Sequence, residues 1–219
     1  MTKNLPTVAL VSVAMFAAIP TEAQMVTLNP GFETTDAGFP GGAQNWYGYT
    51  NTGAPGTLAE VTQESAAVYA GTNGFLLQPV STGAFSQATL GSSLWAISAG
   101  STNELSFELK FLGATAGSVW GEYRLGFYDS AFANISYTAN QSMPYSWDTW
   151  TNVVFSDNVA PAGTAYIGAD FFAYAGDAGN LRVAIDDVNL NTVPEPSTYA
   201  LLALAGAAFA SYRLRRRHR

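Results

Sequence analysis

Glu104-Leu105-Ser106-Phe107-Glu108-Leu109-Lys110-Phe111 alternates polar and apolar residues without a break. In an extended chain successive side chains leave opposite faces, so Leu105, Phe107, Leu109 and Phe111 share one face while Glu104, Ser106, Glu108 and Lys110 share the other. A helix would scatter the four apolar residues around its circumference. A strand with one face on a core and the other toward water uses all eight positions.

The same reading extends outward. From Trp120 to Tyr128, Tyr123, Leu125 and Phe127 alternate with Glu122, Arg124 and Tyr128, which again predicts a half-buried strand. Further strands are expected at Ala59 to Thr62, Phe75 to Val80, Phe85 to Leu90, Trp150 to Phe155, Ala165 to Tyr174 and Leu181 to Leu190, separated by Gly, Pro and Asn. Short, regularly punctuated strands with no internal sequence repeat predict an all-β protein, a single antiparallel β-sandwich of the jelly-roll kind. Helical character is confined to the two ends.

At the first end, Lys3 precedes an apolar run from Val8 to Ile19, and Thr21-Glu22-Ala23 offers small residues at a cleavage site, so residues 1–23 read as a secretory signal peptide. At the other end, 17 uncharged residues from Pro196 to Tyr212 would reach ~26 Å as a helix, the short end of a membrane span. Five arginines follow, and such a cluster keeps its side of a span cytoplasmic, with the body facing outward. Residues 24–192 remain as the working domain, long enough to bury one core.

Charge sharpens the division. The 24–192 body keeps three cations, Lys110, Arg124 and Arg182, against fourteen Asp and Glu, and so is strongly acidic. That composition argues against nucleic acid as a partner and suits neutral glycans, or cations that bridge acidic polymers. Cysteine is absent, so neither disulfides nor thiol chemistry is available.

Val193-Pro194-Glu195-Pro196-Ser197, followed by the apolar run and the Arg cluster, resembles the PEP-CTERM sorting signal of Gram-negative bacteria that make exopolysaccharide. The resemblance implies that Pro194, Glu195 and Pro196 form the processing motif of an exosortase, a membrane protease-transpeptidase. It further implies transient anchoring in the inner membrane and delivery to the cell surface or extracellular matrix. An ordinary tail anchor, with the prolines ending the last strand, is the simpler alternative.

Asn29-Pro30-Gly31-Phe32-Glu33 with Trp46 downstream, and Val183-Ala184-Ile185-Asp186-Asp187-Val188-Asn189-Leu190 near the end of the body, resemble the opening and closing strands of carbohydrate-binding modules with a galactose-binding-domain-like jelly roll. The resemblance places Trp46 and Trp150 in the core and implies a structural Ca²⁺ between the first and last strands. Glu33 and Asp186 are then the best ligands. Asp187 is the third candidate, although neighbours on a strand face opposite ways. Calcium takes about six to eight oxygens and needs neither Cys nor His. Solvated carboxylates that cap a turn and a strand would look the same in sequence.

A glycan-binding surface needs aromatic platforms beside polar groups. Trp120, Glu122, Arg124 and Tyr128 share one strand face, and Glu108 and Lys110 occupy the matching face of the preceding strand. A hairpin across Gly113 to Ser118 would merge these into one glycan-binding surface, or into cross-strand ion pairs on an ordinary solvated face. Trp95 and Trp147 lie in loop-like sequence, which leaves either one available as an exposed platform. Catalysis has little support: the only histidine is His218, in the Arg cluster, which excludes a Ser-His-Asp triad or a His-bound zinc in the body. A carboxylate pair such as Glu108 with Glu122 is the one glycosidase-like option. The expectation is a non-catalytic exopolysaccharide-binding module, with a structural matrix protein and a glycan-cleaving enzyme as alternatives.

Overall fold

A computed structural model describes residues 24–25, 29–36, 42–51, 55–115 and 117–193. The expected signal helix, the Pro194-Glu195-Pro196 motif and the C-terminal apolar helix lie outside the described residues. Thirteen strands are described, in order β1 (Gln24–Met25), β2 (Trp46–Thr50), β3 (Leu58–Thr62), β4 (Gly74–Gln78), β5 (Ser86–Ser92), β6 (Trp95–Ala96), β7 (Thr102–Ala114), β8 (Val119–Tyr128), β9 (Asn134–Tyr137), β10 (Gln141–Ser142), β11 (Thr151–Val159), β12 (Tyr166–Ala175) and β13 (Leu181–Val193). One 3-10 turn, Ser65–Ala67, precedes β4.

The strands form two antiparallel sheets. Sheet 1 runs β11-β7-β13-β4-β3 with β1 on β13, and sheet 2 runs β10-β8-β12-β5-β2 with β6 on β12 and β9 on β8. The all-β sandwich expected from the alternating stretches is the fold observed, and each of the eight anticipated strands is present.

The period of two decides what lies between the sheets. Leu105, Phe107, Leu109 and Phe111 of β7 face Tyr123, Leu125 and Phe127 of β8 and Ile167, Ala169 and Phe171 of β12, and all are buried. Phe107 meets Phe171 edge to face at 4.9 Å and Tyr123 at 5.0 Å, a geometry that favours aromatic pairs beyond the area they bury.

A hairpin of β7 with β8, the condition for one merged surface, does not form. β7 pairs with β11 on one side and β13 on the other, whereas β8 pairs with β12, so the two consecutive strands lie in different sheets. Trp95 is buried rather than exposed, packing edge to face on Trp46 at 5.4 Å. Trp150, expected in the core, is half-buried on the outside, against Tyr69 at 5.4 Å and beneath the Lys110 ammonium.

Candidate functional site

The outer face of sheet 2 is laid out by strand register. Arg124 of β8 sits beside Asp170 of β12, which sits beside Gly91 of β5, which sits beside Tyr47 of β2. One step along, Glu122, Phe172, Thr89 and Tyr49 form the next row, and one step further Trp120, Tyr174 and Gln87 form a third. Toward the other end Tyr128 pairs with Tyr166. β12 therefore carries aromatics on both faces, Phe171 inward and Phe172 and Tyr174 outward.

The outer aromatics form a connected layer. Trp120 and Tyr174 stack at 4.8 Å and 23°, Phe85 contacts both at 6.0 and 5.5 Å, and Phe172 lies nearly parallel to Tyr174 at 6.0 Å. Glycine lets two further rings lie against the sheet. A Cβ on Gly91 would fall 2.7 Å from the Tyr47 ring, and one on Gly126 would fall 2.9 Å from Tyr128 and 3.0 Å from Tyr137. Any side chain at these positions would lift the rings away.

Charge on this face is one cation against two carboxylates, one of them paired with it. Arg124 Nε donates to Asp170 Oδ2 at 3.1 Å, and the guanidinium lies 3.7 Å from the Tyr137 ring centre and 5.0 Å from that of Phe172. Burial raises the Asp170 carboxyl pKa and the Arg124 hydrogen bond opposes that shift. Glu122 accepts from Asn140 Nδ2 at 2.8 Å. Burial, reinforced by the Glu122 charge, pushes the Tyr174 phenol up to about 12, and burial likewise raises Tyr47 and Tyr128. These hydroxyls stay protonated near neutrality and can donate to a sugar hydroxyl or ring oxygen.

Trp120, Glu122, Arg124 and Tyr128 thus share one face as expected, but Glu108 does not join them. It lies on the outer side of sheet 1, is 8% exposed and accepts from Asn152 Nδ2 at 3.1 Å. Because β7 and β8 belong to opposite sheets, the core separates Glu108 from Glu122, and the two cannot flank one glycosidic bond. The partners that sequence reasoning missed are Tyr47, Tyr49, Phe85, Asp170, Phe172 and Tyr174. The i, i+2 spacing of Tyr47 with Tyr49 and of Phe172 with Tyr174 was their available signal.

The second region of interest joins the two ends of the body. Asn29 closes its own loop, its side chain donating to Thr34 O at 2.8 Å and accepting from Thr34 N at 2.9 Å, while Trp46 Nε1 donates to Asn29 O at 3.1 Å. Phe32 is thereby buried and Glu33 turned outward. In β13 a bulge between Asp186 and Asn189, with Asp187 at φ 46, shifts the alternation so that Ile185 and Val188 both reach the core.

Asp186 is 0% exposed. Its Oδ2 accepts from Tyr69 N at 2.8 Å and Ala70 N at 3.1 Å, and its Oδ1 from Asp187 N at 2.7 Å. Burial raises its pKa despite these three amides. Glu33 accepts from Thr72 N at 2.9 Å, Thr72 Oγ1 at 2.7 Å and Asn73 N at 3.1 Å, chiefly the Thr72 hydroxyl lowering its pKa. Asp187 turns to Asn189 Nδ2 at 3.1 Å.

The fit to a cation can be judged at Gly31. Asp186 Oδ1 and Glu33 Oε1 lie 3.6 and 4.0 Å from where a Cβ on Gly31 would sit, so both carboxylates border one small cradle. Asn73 Oδ1, on a residue bonded to Glu33, is a buried acceptor without a hydrogen-bond partner. Two carboxylates and an unpartnered amide oxygen are hard-cation donors. Among the described residues no three Asp, Glu or His side chains converge, so backbone carbonyls would have to complete the shell.

Residues 192–217 match the PEP-CTERM protein-sorting motif. The chain carries that sorting signal. It marks an exported protein destined for the cell surface and implies processing by an exosortase. No curated protein is similar to the chain at a significant level. Among solved structures, the carbohydrate-binding module TmCBM61 in complex with β-1,4-galactotriose matches 76% of this chain and 97% of its own at 16% identity, TM-score 0.51. The enzymatically active domain of bacteriophage CBA120 tailspike protein 4 matches 76% of this chain at 16% identity, TM-score 0.54, with the chain spanning 21% of its length. The Stig cyclase Fisc from Fischerella sp. TAU matches 79% of this chain and 99% of its own at 14% identity, TM-score 0.51. The similar structures show the fold alone, a two-sheet β-sandwich that carbohydrate-binding modules share. Some belong to enzymes, so the shared fold does not fix an activity.

Proposed function

We propose that the protein is a non-catalytic glycan-binding module delivered to the cell surface by its sorting signal, with exopolysaccharide as its ligand. The observation that carries this reading is the outer face of sheet 2, where Phe85, Trp120 and Tyr174 form a continuous aromatic layer beside the buried Phe172 ring and the Arg124–Asp170 pair. A pyranose presents an apolar C–H face and a rim of hydroxyls. The aromatic layer suits the former. Arg124, Glu122, Asp170 and the protonated tyrosine hydroxyls suit the latter.

On this reading Ca²⁺ binds at the Gly31 cradle through Glu33 and Asp186 and clamps the first loop to the last strand, with Asp187 left to hold Asn189. The ion would supply charge compensation for a buried carboxylate and no chemistry on the ligand. The C-terminal apolar segment would hold the chain in the inner membrane until processing.

Binding of the purified protein to a panel of neutral and acidic polysaccharides, with and without Trp120→Ala, tests the reading. Retention that the substitution abolishes supports it. Release of reducing ends would favour a glycan-cleaving enzyme, and no retention on any glycan would favour a structural matrix protein.

A further inference from the structure

We infer that Tyr145 and Trp147, on the loop between β10 and β11, form a separate sugar-stacking subsite that carries a polysaccharide from the sheet 2 face around the β8 edge; this rests on the glycan-binding reading of that face. The two side chains are 53% and 48% exposed. Their rings are nearly parallel, 22° apart with centres at 6.2 Å, and both rest on the buried Phe111 ring, at 5.0 and 5.4 Å.

The loop is pinned. Phe111 N donates to Ser146 O at 3.0 Å and Asp148 N donates to Phe111 O at 2.9 Å, binding it to β7 from both sides of Trp147. Ser146 Oγ donates to Thr149 O at 3.0 Å and Thr151 Oγ1 donates to Ser146 Oγ at 2.7 Å. Two large aromatics held in the open on a fixed backbone lose little conformational entropy on meeting a ligand.

Continuity with the proposed face names the occupant. β10 covers the edge of β8 at Tyr123 and Glu122, Met143 N then takes Gly121 O at 2.9 Å, and the Tyr145 hydroxyl takes Val119 O at 3.0 Å. Tyr145 therefore abuts the residue before Trp120, where the outer aromatic layer ends. A glycan chain running past Trp120 meets Tyr145 and Trp147 next.

Charge selects the ligand class. Two of the body's three cations are paired, Arg124 with Asp170 and Arg182 with Glu64 and Gln78, and the third, Lys110, lies over the Trp150 ring on the outer side of sheet 1. A uronate or sulfate group on the chain would meet fourteen carboxylates against three cations, and that net repulsion disfavours it. The ligand is a neutral polysaccharide.

The test compares the purified wild type with Trp147→Ala, Tyr145→Ala and Trp120→Ala. Probes are soluble β-glucan, xylan, mannan, galactan and arabinan, each beside its trisaccharide and beside an acidic alginate. Trp147 and Tyr145 are surface residues, and melting curves confirm that the variants stay folded. The expected result is that Trp147→Ala and Tyr145→Ala weaken the neutral polymer about tenfold and leave its trisaccharide unchanged, while Trp120→Ala weakens both. Unchanged polymer affinity in both rim variants, with Trp120→Ala still deleterious, overturns the rim subsite alone. An equal loss for polymer and trisaccharide overturns its separateness, and tighter binding of alginate overturns the ligand class. Self-association that vanishes in Trp147→Ala, with polymer affinity intact, replaces the glycan by a second copy. A wild type that binds none of the probes overturns the face and the rim together.

Discussion

Replacing Asp186 by Ala removes the acceptor of three partly buried amides and so probes the junction between the two ends of the body. Tyr69 N, Ala70 N and Asp187 N all end on this carboxylate, at 2.7 to 3.1 Å. A buried donor left unsatisfied costs about 1–3 kcal/mol, so three cost about 3–6 kcal/mol once partial relaxation and water entry are allowed for. The loss is reduced by relief of the buried charge, whose penalty is visible in the raised pKa. A net of about 3–5 kcal/mol is a large part of a domain's usual stability and, at about 2–4 °C per kcal/mol for a chain of this size, lowers the Tm by roughly 6–20 °C. Asp186→Asn keeps the shape and can satisfy the two amides on one oxygen, but its NH2 group faces the third donor. It should cost about 1–2 kcal/mol. Urea unfolding and calorimetry in chelator isolate the protein's own hydrogen bonds from any bound ion. A loss under about 1 kcal/mol for Asp186→Ala would refute the reasoning, because the three donors would then have found other partners.

Calcium and pH should act on the same carboxylate. Asp186 and Asp170 have raised folded pKa values, so between the unfolded carboxylate range and those values the folded state holds more protons, and stability falls as pH rises through that window. Glu33, with its pKa lowered, works the other way, its contribution lost as pH falls through its folded value. Chelated protein should melt lower as pH rises out of the ordinary carboxylate range, and Ca²⁺ should raise the Tm at pH 7 and lose its effect in acid; a chelator-insensitive Tm at pH 7 contradicts the metal proposal. Gly91→Ala should leave stability within about 1 kcal/mol, because the clash is with the movable Tyr47 ring, yet weaken glycan binding measured by calorimetry. Glu108→Gln, on the far sheet, should leave glycan affinity unchanged, and a loss there would mean that the binding surface has been misplaced.

Much of the fold was legible because alternation is a local signal. Leu105 to Phe111 and Tyr123 to Phe127 declare their buried faces without reference to any other strand. Pairing is not local. The short 115–118 segment has the length of a hairpin loop, but both edges of β7 are taken by β11 and β13, strands drawn from much later in the chain. Glu108 was misplaced for this reason alone. Trp95 looked like loop because only two residues of β6 pair with β12, and its burial depends on Trp46, almost fifty residues away. The bulge at Asp187 is similarly silent in sequence, although it decides that Asp186 meets the 69–70 amides.

The candidate face was half visible. Trp120, Glu122, Arg124 and Tyr128 follow from the period of two along one strand. Asp170, Phe172 and Tyr174 join them only through the register of β12, and Tyr47 only through the register of β2 on β5.

The most direct measurement of the central proposal is the affinity of the purified protein for neutral polysaccharides, wild type against Trp120→Ala, by affinity electrophoresis and calorimetry. The account predicts saturable binding to at least one neutral glycan and a loss of about tenfold or more on removing the Trp120 ring from its stack with Tyr174. Binding that is unaffected by Trp120→Ala, or absent from every glycan tested, would contradict it.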